Sequence, residues 1–173
     1  MGNLEIKKVC GFSISSIHFS MMILPYIKKE LETQKEVITI LEGNLEKNIN
    51  QILSKLTITD EEKEKILNIN WKETDIMESA IEENIREKLG QNGNLDIIVY
   101  GSEKYIDNVS EIINKIVDED LKKNNKDIKI IDCYSIGDFN ENLRKILDNH
   151  HIMFNTSGEH EIKDIFQGYK KTS

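Results

Sequence analysis

The run LDIIVYG, Leu95 to Gly101, constrains this chain more than any other stretch. Ile97, Ile98, Val99 and Tyr100 are apolar at consecutive positions. Such a strand needs cover on both faces, as in a parallel sheet lying between two helical layers. Parallel neighbours in turn need long crossovers, usually helical. The rest of the sequence supplies them. LEIKKVCGF (Leu4 to Phe12), EVITILE (Glu36 to Glu42), IKIIDCYSI and HIMFN read as further strands. Between them apolar residues recur at helical spacing: Ile17, Met21, Leu24, Ile27 and Leu31; then Leu45, Ile49, Ile52, Leu53 and Leu56; Ile76, Ala80, Ile81, Ile85 and Leu89; Ile106, Val109, Ile113 and Ile116; Phe139, Leu143, Ile146 and Leu147.

Strands that alternate with helices predict a three-layer α/β fold. Its mainly parallel sheet has five to six strands, with helices on both faces. Local punctuation agrees. Thr59 with Glu62 three residues on forms a capping box, so a short helix begins at Asp60. Gly90 is placed to end the helix before LDIIVYG. Pro25 either kinks the first helix or stands in its first turn, the helix then starting near Ile23. IMFNTSG (Ile152 to Gly158) reads as a strand leading into a last helix striped by Ile162, Ile165, Phe166 and Tyr169. No composition break divides the 173 residues, and GQNGN (Gly90 to Asn94) reads as a turn. The expectation is one domain over 1–173, frayed at 168–173.

Composition removes several functions. The net charge is −8, a poor match for nucleic-acid phosphates or an anionic membrane. The longest apolar stretch, HFSMMILPYI, is too short to span a bilayer, and the charged start lacks a signal-type apolar run. Cys10 and Cys133 lie in strands without a CxxC, so they read as buried free thiols of a cytoplasmic protein.

In an open parallel sheet, ligands bind beyond the carboxyl ends of the strands. Each strand here is followed by small, polar or glycine-bearing residues. They are Ser13, Ser15, Ser16 and His18; Gly43; Gly101 and Ser102; Ser135, with Gly137 and Asp138; and Asn155, Thr156, Ser157 and Gly158. These residues are the candidate ligand-binding set. Each loop also has a purely structural reading, because strand-to-helix turns use glycine and polar caps. A helix N-terminus favours neutral imidazole, which makes His18 a candidate hydrogen-bonding group. An alternative enzymatic reading gives His18 the acid or base role, with Ser16 and Ser157 as partners. There is no GxxxxGK[ST] and no GxSxG, and no histidine stands at a zinc spacing such as HExxH. Ile130-Ile131-Asp132 has the form of a magnesium-carrying strand, a common pattern. His150 and His151 read as a surface pair. No cofactor and no metal are expected.

The stretch SIHFSMMILPYIKKELETQKEVITILEGNLEKNINQIL places His18, the aromatic Tyr26, a charged turn from Glu30 to Glu36 and the strand VITILE in one order. This order, with the later IIVYGSEKYIDNVSEIINKI and IKIIDCYSI, resembles the MEDS sensory domain of bacteria and archaea over about residues 17 to 157. The resemblance implies a RecA- or KaiC-like core without its ATPase residues, and a role in bacterial signal transduction. The expected function is therefore a non-catalytic regulatory domain that binds a small molecule or a signalling protein, or self-associates, at the carboxyl edge of its sheet. A structural protein with no ligand is the further alternative.

Overall fold

A computed structural model describes residues 6–92, 94–120, 127–135 and 139–166. Gly137, Asp138, Tyr169 and the 168–173 tail lie outside these. Six strands form one sheet: β1 (Ile6–Ser13), β2 (Glu36–Leu41), β3 (Asn94–Gly101), β4 (Asp127–Ser135), β5 (Ile152–Asn155) and β6 (Gly158–Glu161). Their spatial order is β2-β3-β4-β1-β5-β6, all parallel except the β5–β6 hairpin. The helices are α1 (Ser16–Glu32), α2 (Glu46–Leu53), α3 (Asp60–Leu67), α4 (Glu78–Asn92), α5 (Glu103–Asp120), α6 (Phe139–Asp148) and α7 (Ile162–Ile165).

Direction of travel decides which face each helix covers. From β1 the chain crosses outward to β2, and every later crossover runs back the other way. Right-handed connections then put the first helix on one face and the later crossover helices on the other. Helices α1, α4, α5 and α6 follow this rule, while α2 and α3, earlier in the β2–β3 connection, share the face of α1. Phe19, Ile23 and Ile27 of α1, Ile49 of α2, Ile66 of α3 and Trp71 pack on Val9, Ile98 and Ile131. Ile85 of α4, Ile106 and Val109 of α5, Ile146 of α6 and Ile162 of α7 pack on the opposite face, against Ile97, Val99 and Ile130. LDIIVYG is buried on both faces, as its pattern predicts: Leu95 to Gly101 are all buried.

Three details differ from the sequence expectation. Helix α4 runs on through Gly90 to Asn92, so that glycine does not end it. Helix α1 starts at Ser16, so Pro25 lies in its interior. Burial of Ile23, Leu24 and Ile27 beside Pro25 offsets the lost amide hydrogen bond. IMFNTSG does not lead into a helix. It opens a hairpin, with Phe154 opposite Glu159 and Asn155 opposite Gly158. The segment GEHE forms the sixth strand, because pairing to β5 outweighs its poor strand propensity. Gly11 fits under Phe154, where a Cβ would stand 2.2 Å from the ring.

Candidate functional site

Neighbouring strands β1 and β4 send their connections to opposite faces, so the switch point of the sheet lies at their carboxyl ends. Ser13 pairs with Ser135 there, and Tyr134 with Gly101 one strand further. The fold thus brings Ser13, Ser135, Gly101 and Ser102 to one edge. Ser13 is buried and its hydroxyl has no partner among the described residues.

The polar groups of this edge are largely used up by one another. Ser15 caps α1, its Oγ accepting the His18 N–H at 3.1 Å. His18 Nδ1 accepts the Ile14 N–H at 3.1 Å, so the ring carries its proton on Nε2. Ser16 Oγ accepts from Asn48 Nδ2 at 3.0 Å. At α5, the Glu42 carboxylate accepts the Ser102 N–H at 3.0 Å, and Ser102 Oγ accepts the Tyr105 N–H. Gly101 permits this closure, since a Cβ would lie 2.8 Å from Glu42 Cβ. A helix N-terminus attracts anions, and here the chain's own carboxylate takes that place. Gly43 stands in the turn after β2.

Asn155, Thr156, Ser157 and Gly158 form the β5–β6 turn. Ser157 N–H and Oγ both donate to Asn155 Oδ1, an Asx turn, at 2.9 and 2.6 Å. Ser157 Oγ also lies 2.8 Å from His160 Nε2. The serine of this turn therefore faces His160, and its proton goes to Asn155. A cavity of about 420 Å³ separates the turn from Met22, Tyr26 and Lys29 of α1.

Beside exposed polar residues such as Ser15, Glu42 and Asn44, the edge leaves three large apolar side chains exposed. Ile14 is 74% exposed, Met21 58% and Ile17 46%. Ile17, Met21 and exposed Pro25 recur every four residues and so form one stripe along the outside of α1, with Ile14 just before its N-cap.

Sequence reasoning missed a second cluster beneath the same helix. Lys7, Lys129 and Asp96 lie in one row across β1, β4 and β3. Lys129 is 8% exposed; its Nζ donates to Glu159 Oε1 at 2.8 Å and to Tyr26 Oη at 2.9 Å, and lies 3.5 Å from Glu30. Tyr26 Oη donates to Glu159 at 2.8 Å, and Lys35 Nζ to Glu30 at 2.9 Å. Burial alone would raise the Glu159 carboxyl, but hydrogen bonds from Lys129, Tyr26 and Lys7 hold it at about 2. Asp96 behaves oppositely. Burial, then a hydrogen bond with the Glu30 carboxylate and its charge, push it up to about 8, against the pull of Lys35 and Lys129. Asp96 Oδ2 is buried with no hydrogen-bond partner among the described residues. The signal was in the sequence. Asp96 and Lys129 interrupt LDIIVYG and DIKIIDCYS near their starts, where two strands share a register. A cavity of about 760 Å³ at the amino edge reaches Lys7, Lys35, Asp96, Lys129 and His151.

His150 is not part of a surface pair, since only His151 is exposed. His150 is 2% exposed, with Nδ1 2.6 Å from Ile146 O and Nε2 2.7 Å from Asp132 Oδ2. Asp132 thus anchors the end of α6. Cys10 and Cys133 are buried; burial and the nearby Asp132 push the Cys10 thiol up to about 12, and Cys133 well above its ordinary range. Among the described residues no group of three or more His, Cys, Asp or Glu is placed to hold a metal. No helix among them is long and apolar enough to cross a membrane.

Compared with known proteins, the chain matches no family model and no curated protein.

Proposed function

We propose that this chain is a non-catalytic regulatory module of the MEDS-like sensory type, and that it docks a signalling protein at the carboxyl edge of its sheet. One observation carries the reading. The strand-loop-helix from β1 to α1 stands where a phosphate-binding loop would stand. Its sequence, SISSIH, has no glycine and no lysine; the Ser15 hydroxyl and the His18 imidazole are taken by loop amides and the Ser16 hydroxyl by Asn48, while the Ser13 hydroxyl is buried. The neighbouring α5 terminus is filled by Glu42. In place of a phosphate cradle the edge offers Ile14, Ile17 and Met21 to solvent. Exposed apolar side chains beside a polar rim suit a protein surface better than a nucleotide. The architecture supports the resemblance, since it is an α/β core with a mainly parallel sheet and no P-loop.

Two measurements test this. Calorimetric titration with magnesium ATP, ADP and GTP is expected to show no heat of binding. Ile14→Asp combined with Met21→Asp is expected to keep the thermal midpoint and to remove partner association. Nucleotide binding that depends on Ser15 or His18 would return the loop to ligand recognition and overturn the reading.

A further inference from the structure

Strand β2 ends one side of the sheet. Three hydrogen bonds fix the direction of its backbone. Glu42 N–H donates to Tyr100 O, toward β3. Leu41 points outward: its N–H donates to Thr74 Oγ1 and its C=O accepts the Thr74 N–H. Backbone direction alternates along a strand, so Thr39 and Val37 also present N–H and C=O outward. The segment from Asn70 to Thr74 covers the later positions. Thr74 takes Leu41, and the Asn70 carbonyl accepts the Thr39 hydroxyl. No hydrogen bond takes the outward backbone groups of Thr39 or Val37 among the described residues, and Val37 lies beyond the covering segment.

Val37 faces a cleft of about 550 Å³, walled by the end of α3 and by α4, with Lys65 on one wall, Lys88 on the other and Lys35 at its start. Of the charged residues that line it, three are lysines and one, Glu36, is an acid; Lys35 is held by Glu30, which leaves Lys65 and Lys88 as the cations of the cleft. Lys65 lies 3.5 Å from Glu61 and Lys88 3.9 Å from Glu36. Such partly exposed pairs are weak, so both lysines are free to turn to an incoming carboxylate.

We propose that this cleft receives an extended acidic segment of a partner protein, which adds to β2 as a short outer strand. The Val37 amide and carbonyl supply main-chain bonds, and Lys65 and Lys88 select carboxylates on either side. The chain's own residues 167–173, QGYKKTS, carry two lysines and no acid, so their charge is wrong for this cleft.

A fluorescein-labelled heptapeptide alternating Glu with Val, followed by fluorescence polarisation on the full chain, tests the proposal. Binding is expected to weaken at least tenfold in Lys65→Glu/Lys88→Glu and to fall with rising salt. Val37→Pro removes only the outward amide, since proline is tolerated on an edge strand; it is expected to abolish binding. Circular dichroism checks that each variant is folded, and if Val37→Pro is not, the charge reversal decides alone. No binding, binding indifferent to the charge reversal, or tighter binding of a QGYKKTS peptide would overturn the proposal. So would concentration-dependent dimerisation lost in Lys65→Glu/Lys88→Glu, which would make the occupant a second copy.

Discussion

Asp96→Asn is the sharpest probe of the charged layer under α1. Asparagine keeps the size of the side chain and donates to Glu30 as a protonated carboxyl does, but it has no proton to lose. In the wild type the folded carboxyl titrates at about 8, against an ordinary value of 3.8. A folded value above the unfolded one means that unfolding releases a proton throughout the interval. The stabilisation is complete below pH ~4, falls as pH rises, and is spent above about 8. One proton gives a slope of about 1.4 kcal/mol per pH unit, so from pH 5 to 7 the wild type loses just under ~3 kcal/mol relative to Asp96→Asn. Glu159, held at about 2, contributes stability that is lost only as pH falls below about 4.5. It is therefore silent in this window, and the histidines cancel because both proteins contain them. Urea unfolding at pH 5, 6, 7 and 8 reads the effect. Trp71, the single tryptophan, is 3% exposed with its indole N–H on Ile66 O, and serves as the reporter. The variant is expected to be the more stable protein at pH 8. Parallel stability curves for the two proteins would refute the shared proton.

The remaining predictions concern burial. His150→Ala leaves the Asp132 carboxylate without a donor on either oxygen and should cost about 3–5 kcal/mol by chemical unfolding, the range for half of a buried pair. Glu159→Ala strips Lys129 of its closest acid and should cost a similar ~3 kcal/mol, with the β5–β6 hairpin losing hydrogen-exchange protection first. Gly11→Ala forces the wedged Phe154 ring aside and should cost about 1–3 kcal/mol. Both cysteines should resist a thiol reagent in the native state and react at once in urea.

The layered fold was legible because burial on two faces leaves an unmistakable run such as IIVY, and because a capping box like that of Thr59 is a local device. Strand β6 was not legible. GEHE carries no apolar pattern, and only pairing with β5 makes it a strand. The candidate edge was legible as a set of loops, but not as a closed one. Which partner a cap accepts, Glu42 for Ser102 or Ile14 for His18, depends on strand order and register. The Asp96–Lys129 row is the instructive case. Each residue is a visible flaw in an apolar run, yet only the β3–β4 register brings the two flaws together. His150 failed for a related reason. Its neighbour Asp132 lies 18 residues away, so the buried pair is made by α6 returning to the sheet.

The central claim, that this edge meets a protein through the outer stripe of α1, is open to one direct measurement. A photo-crosslinking amino acid placed at Ile17, and a control at the exposed Asn114 of α5, are compared in cells. The account predicts one discrete adduct from position 17 that disappears in Ile14→Asp/Met21→Asp, and none from position 114. Equal adducts from both positions, or no adduct from position 17 beside measurable nucleotide binding, would contradict it.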